Sequence, residues 1–175
     1  STPERPKQFL KLFDESYSLF QNTIRRLKSN DRIEFLDPLI LTSERYQSIV
    51  EGQLEELGVE PFAILLEPTP KNTAPSILSA LFYLEKEACD NNLLFLPTDH
   101  YLKNENHFNN CINESLNYGL TKDIFTFGIK PDRPETGFGY MKVADSNKNK
   151  VIPVSKFIEK PSSEVAKKMI KDSAK

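Results

Sequence analysis

The chain has 175 residues, 38% of them hydrophobic, which suffices for the core of one domain and falls short of two large ones. Its 23 Lys and Arg against 25 Asp and Glu leave a formal charge of -2. Neither a basic field for nucleic acid nor an acidic run for disorder is present. No stretch approaches the roughly 18 apolar residues of a membrane span, and the opening "STPERPKQFL" lacks the charged-then-apolar order of a signal segment. The expectation is a cytoplasmic protein with no nucleic acid and no membrane as partner. Cys89 and Cys111 fall inside expected helices without metal-ligand spacing and read as reduced core thiols.

In chain order, "PLILT" (38–42) predicts a strand, and Ser43 can cap a following helix that carries Tyr46, Ile49, Val50, Leu54 and Leu57 on one face and ends at Gly58. "FAILLE" (62–67) predicts the next strand. The segment 73–89 predicts a helix with Pro75 in its first turn, where a missing N–H costs little. "LLFLP" (93–97) predicts a third strand, a polar helix runs from about Glu105 to Tyr118, and "IFTFGI" (124–129) predicts a fourth strand. The rhythm then changes: "YMKVA" and "VIPVSKFIEK", joined by the turn-rich "DSNKNK", predict an antiparallel hairpin. The whole is expected to be α/β, a three-layer domain with a mainly parallel mixed sheet.

Ligands of parallel α/β sheets gather outside the carboxyl ends of the strands. Glu67 closes one strand before "PTPKNTAP", and Asp99 follows another by two residues. A carboxylate there can hold Mg²⁺, which takes one or two protein carboxylates and completes its shell with waters and phosphate oxygens; a helix cap or turn is the other reading of Asp99. His100, without a second His or Cys nearby, is expected to hydrogen-bond beside Asp99 and not to bind metal. Gly137 and Gly139 flank Phe138 in "RPETGFGY", which allows a close backbone approach or a tight strand entry. "FIEKP" places Glu159, a hydroxyl acceptor, and Lys160, a phosphate cation, at a strand end; a charged surface is the other reading.

Taken together and in order, "PKQFL", "EPTPKNTAP", "LPTDH", "FGIKPDRPETGFGY" and "FIEKP" resemble the mannose-1-phosphate guanylyltransferases, over Ser1 to about Ser173. The resemblance implies a Rossmann-like nucleotide-diphospho-sugar transferase fold, Mg²⁺ as cofactor, and the formation of GDP-mannose and pyrophosphate from GTP and mannose 1-phosphate. It implies that Lys7 meets the nucleotide phosphates, that Glu67, Asn72, Thr73 and Ala74 surround the base, and that Asp99 holds the metal. Gly137, Gly139, Glu159 and Lys160 would then hold the sugar and its phosphate, with Lys7, Asp99 and Lys160 as the catalytic group. A carboxylate at Glu67 could accept from guanine N1–H and the exocyclic amine, which suits guanine and repels thymine.

Such chemistry needs no protein nucleophile. An oxygen of the sugar phosphate is already anionic and can attack the α-phosphorus in line as pyrophosphate leaves, so positioning and charge neutralisation are what the protein contributes. The resemblance also implies a Gly-rich, Arg-bearing loop upstream of Ser1 and a sugar- and metal-binding stretch beyond Lys175, so the chain is expected to be one partial catalytic domain, truncated at both ends, with its activity belonging to a longer chain. A catalytically silent binding remnant and a sibling transferase with another base or sugar stay as alternatives. The sequence leaves the oligomeric state open, a homodimer included.

Overall fold

A computed structural model describes residues 6–13, 15–69, 71–89, 91–118, 124–143 and 151–173. By Cα proximity the chain divides into two compact units, Ser1–Glu105 and Asn106–Lys175.

The first unit starts with a 3-10 turn at Lys7–Phe9 and helix α1 (Leu19–Arg25). The alternation of apolar runs does not announce α1, but its start is written locally. Ser18 accepts from the Gln21 N–H at 3.0 Å, and the Gln21 side chain accepts from the Ser18 N–H at 3.0 Å, a reciprocal capping box that satisfies two donors otherwise orphaned at the helix start. Strand β1 (Leu39–Ser43) follows, then a 3-10 turn at Glu44–Tyr46 leading into α2 (Gln47–Glu55). Ser43 makes no side-chain cap, contrary to expectation, because the 3-10 turn separates it from α2. The stop at Gly58 is as expected: Gly58 has φ +64, a left-handed conformation that suits a residue without Cβ.

Strand β2 (Ala63–Glu67) pairs with β1 in parallel, with Leu39 opposite Ala63 and Ser43 opposite Glu67. Both strands therefore end at the same level, and Glu67 sits at the carboxyl edge that the α/β rule singles out. Helix α3 (Thr73–Lys86) returns over this unit, with Pro75 in its first turn. It ends three residues earlier than its apolar content suggests, since Ala88 adopts φ +54. Cys89 thus lies beyond the helix, half-buried, and Cys111 is half-buried too, so neither thiol is a sealed core residue. The core comprises Phe9, Phe20, Ile24, Ile40, Tyr46, Val50 and Leu54, against which Ile49, Leu57, Val59 and Ile64 pack. The face expected of α2 is the face that is buried.

In the second unit, α4 (Glu105–Asn117) runs close to its expected bounds, its first residue belonging to the other unit. Strands β3 (Tyr140–Val143) and β4 (Val154–Ile158) pair antiparallel, as the hairpin reading requires, with an irregularity between Lys142 and Val143. The expected turn "DSNKNK" lies outside the described residues. Helix α5 (Ser163–Ser173) follows.

The expected strands 93–97 and 124–129 form no ladder among the described residues, although their composition favours one. A strand is defined by a hydrogen-bonded neighbour as much as by its own sequence, and these runs have none there. Leu94 and Leu96 are half-buried while Leu93 and Phe95 are exposed, the alternation a strand would show. Among the described residues the sheets are therefore one parallel and one antiparallel pair.

Candidate functional site

In the first unit, three loops converge at the carboxyl edge of the strand pair. Lys7, in the 3-10 turn, places its Nζ 2.8 Å from Asp99 Oδ2, joining positions 92 residues apart in sequence. The hydrogen-bonded Lys7 ammonium holds the Asp99 carboxyl below the usual value of 3.8, while partial burial works in the opposite direction. A cavity of about 210 Å³ lies alongside, lined by Gln8 and Thr98, the neighbours of that ion pair, together with Glu67, Thr42, Ser43 and Arg45. Its volume is below the ~300 Å³ at which ligand sites usually begin, so it can admit part of a nucleotide and not the whole.

Asp99 lies in a turn, and the next helix starts only at Glu105, which removes the helix-cap reading. Its Oδ1 is 3.9 Å from His100 Nε2, too far for a hydrogen bond. The backbone of His100 is engaged instead. Arg26, at the end of α1 and only 4% exposed, donates from Nη2 to the His100 carbonyl at 3.1 Å and from Nε to the Asn22 carbonyl at 3.3 Å. Burial pulls the guanidinium's pKa down, and the nearby Glu105 charge pushes it back up. Arg26 was not singled out by the sequence, where it is one of two consecutive arginines ending an unannounced helix; the capping box eight residues earlier is the signal that could have found it.

Asp99 presents one hard oxygen not committed to Lys7, and among the described residues no group of three or more His, Cys, Asp and Glu forms a metal cage. That donor set suits a cation that takes few protein ligands and completes its shell with phosphate and water oxygens, the habit of Mg²⁺.

Glu67 and the loop after β2 form the second part. The Ser76 hydroxyl donates to Glu67 Oε1 and also lies 3.0 Å from the Asn72 carbonyl oxygen. Asn72 has φ 66, an uncommon conformation for a side-chain-bearing residue. It precedes Thr73 and Ala74, the first residues of α3, which are exposed. Lys7, Asp99 and Glu67 are thus gathered around one edge, and Asn72, Thr73 and Ala74 flank Glu67 through Ser76.

The remaining expected residues belong to the second unit. A Cβ on Gly139 would collide with the end of the Phe157 ring on β4 and approach Glu159 Oε2 to 2.9 Å, so a side chain here would have to displace both. Gly137 has no such need, its virtual Cβ meeting only Glu135 Oε1 at 3.5 Å, while its N–H donates to that oxygen at 3.1 Å. Directly after β4, Glu159 and Lys160 lie 3.6 Å apart as an exposed pair, and Lys160 has φ 42. A residue with a side chain at such a φ persists only where the surrounding structure holds it there.

A model of the nucleotidyl transferase family matches residues 2–173. The chain belongs to the nucleotidyl transferase family. Within it, the chain is 38% identical to the mannose-1-phosphate guanylyltransferase of Escherichia coli over 97% of its own length and 37% of the relative's. It is 39% identical to that of Salmonella montevideo, covering 92% and 34%, and 37% identical to the xanthan biosynthesis protein XanB of Xanthomonas campestris, covering 89% and 32%. The chain spans about a third of the length of these curated relatives. Among solved structures it resembles a Thermus thermophilus protein described as a mannose-1-phosphate geranyltransferase, with a TM-score of 0.81 and 28% identity over 98% of this chain and 48% of that one. A Helicobacter pylori mannose-6-phosphate isomerase structure matches with a TM-score of 0.77 and 30% identity, covering 97% and 61%. The expected α/β, Rossmann-like fold is thereby established for this member of the family. No helix among the described residues is long and apolar enough to cross a membrane.

Proposed function

We propose that this chain contributes nucleotide and sugar-phosphate contacts to an enzyme that makes GDP-mannose and pyrophosphate from GTP and mannose 1-phosphate. The observation that carries the proposal is the Lys7–Asp99 pair set beside the Glu67 cavity at the carboxyl edge of β1 and β2. A cation for phosphate, an oxygen for Mg²⁺ and an acceptor for a base are the contacts a nucleoside triphosphate needs. The names of the relatives favour GTP and mannose 1-phosphate over other pairs.

In this reading Glu67 accepts from the guanine N1–H and exocyclic amine, with Asn72, Thr73 and Ala74 bordering the base. Lys7 leaves Asp99 for the phosphates. Asp99 would be the protein ligand of Mg²⁺, which supplies charge neutralisation at the crowded phosphate oxygens. Gly137 and Gly139 allow the sugar phosphate to approach the backbone, Glu159 accepts from its hydroxyls, and Lys160 neutralises the attacking phosphate. An in-line displacement with those charges compensated needs no covalent intermediate. The proposed setting is the cytoplasm, where nucleoside triphosphates are available.

The test is pyrophosphate release with GTP, UTP, dTTP and ATP, each with mannose 1-phosphate or glucose 1-phosphate and Mg²⁺. In the full-length protein that carries this chain, turnover greatest with GTP and mannose 1-phosphate and lost in Asp99→Asn is the expected result. Preference for another pair would assign a sibling activity, and saturable GTP binding without turnover would assign a binding role to this chain.

A further inference from the structure

We infer that Ser76 is a specificity-determining positioning residue: its hydroxyl fixes the plane of the Glu67 carboxylate so that two adjacent N–H donors of a purine can be met at once. Ser76 can do this only if Glu67 meets the base, so the inference rests on that assignment.

Glu67 ends β2 and Ser76 sits in the first turns of α3, so the contact ties the strand's end to the helix across the intervening loop. Among the described residues no lysine or arginine pairs with Glu67, and the Ser76 hydroxyl is the partner that orients it. The hydroxyl has one hydrogen and two acceptors in reach, Glu67 Oε1 and the Asn72 carbonyl oxygen. The ionised carboxylate is the stronger acceptor and takes it. Back-bonding to a carbonyl four residues earlier is the alternative whenever the carboxylate turns away. The side chains of both residues are half-buried, and Glu67 faces the cavity shared with Gln8 and Thr98.

A carboxylate has about four lone-pair sites, of which Ser76 uses one. The rest suffice for the N1–H and 2-amino group of guanine, but both donors are met together only if the carboxylate plane is right. Hypoxanthine, which lacks the 2-amino group, makes one such bond and tolerates a rotated carboxylate. Fixing the plane in advance therefore strengthens guanine binding more than hypoxanthine binding. Asn72 stands directly before α3 at φ 66, and its carbonyl oxygen is the second acceptor within reach of Ser76.

The experiment is titration of the full-length protein that carries this chain with GTP and with ITP, each with Mg²⁺, in the wild type, Ser76→Ala, Ser76→Thr, Glu67→Gln and the Ser76→Ala/Glu67→Gln double variant. Ser76→Ala should lower the preference for GTP over ITP by about fivefold to tenfold, as expected for losing part of one hydrogen bond to a charged group. Ser76→Thr should restore it, and in the Glu67→Gln background Ser76→Ala should have no further effect. A helix position gains propensity from Ser to Ala, so a merely structural role would leave the ratio unchanged. An unchanged ratio in Ser76→Ala, with Glu67→Gln reducing it, overturns the role of Ser76 alone. A ratio indifferent to Glu67→Gln, or no nucleotide binding by the wild type, overturns the assignment of Glu67 and this inference with it.

Discussion

The two units hold their candidate residues by different means. In Ser1–Glu105 the ion pair and the turn that carries it rest on a shared core: Phe9 follows Lys7 by two residues and packs edge-on against Phe20 of α1 at 5.9 Å, while Arg26 at the end of the same helix ties down the His100 carbonyl. In Asn106–Lys175 the corresponding residues hang from a two-stranded hairpin whose partner side chains are open, with Phe157 60% exposed and Glu159 and Lys160 paired with each other. Dense packing fixes distances between residues far apart in sequence, whereas the hairpin sets Gly139 against the side chains of Phe157 and Glu159. Positioning in the first case depends on volume and in the second on the absence of a side chain.

Truncating the core should give the largest effect and test whether packing is what holds the first site. Phe20→Ala, at a position 1% exposed, should cost about 3–5 kcal/mol, whereas Phe157→Ala should stay within about 0.5 kcal/mol. Urea unfolding of the two variants measures both, and equal costs would erase the contrast. Next in size, Arg26→Met should cost about 1–3 kcal/mol by leaving the His100 carbonyl without its donor. It should also weaken Mg²⁺-nucleotide binding more than Arg26→Lys does, which calorimetry would show.

Gly139→Ala sharpens the other half of the comparison. The exposed Phe157 ring can swing aside, so the loss of stability should be about 1 kcal/mol, read as a small drop in Tm. Displacement of Glu159 should nevertheless weaken sugar-phosphate binding by about tenfold; a titration with mannose 1-phosphate that matches wild type would show that Glu159 does not depend on this contact. The smallest effect concerns pH. Asp99 has a folded pKa lowered by Lys7, so its contribution to stability is present above the unfolded value of 3.8 and lost as pH falls through the lower folded value. Lys7→Met should therefore flatten the dependence of Tm on pH below about 4, modestly because both groups are solvent-screened.

Much of this was legible locally. The α2 face, the Gly58 stop, Pro75 in the first turn of α3, the β3–β4 hairpin and the placement of Glu67 at a strand's carboxyl end all follow from periods and turn chemistry within a dozen residues. What failed required a neighbour. The runs 93–97 and 124–129 have strand composition, yet no partner pairs with them among the described residues. Ser43 has the side chain of a cap, but an intervening 3-10 turn takes the chain past it. His100 is expected to hydrogen-bond beside Asp99, and only the structure shows that its carbonyl does so, accepting from Arg26.

By itself the sequence offered Glu67 and Asp99 as candidates beside strand ends and marked the α2 face, the Gly58 stop and the β3–β4 hairpin, because those depend on composition and on spacings of two and three to four residues. Only the tertiary structure decided that Lys7 neutralises Asp99, that Arg26 anchors the turn beside it, and that Ser76 orients Glu67. Electrostatic and hydrogen-bond partnerships act over about 3 Å of space, and the chain brings Lys7 and Asp99 that close only once the core around Phe9 and Phe20 has formed.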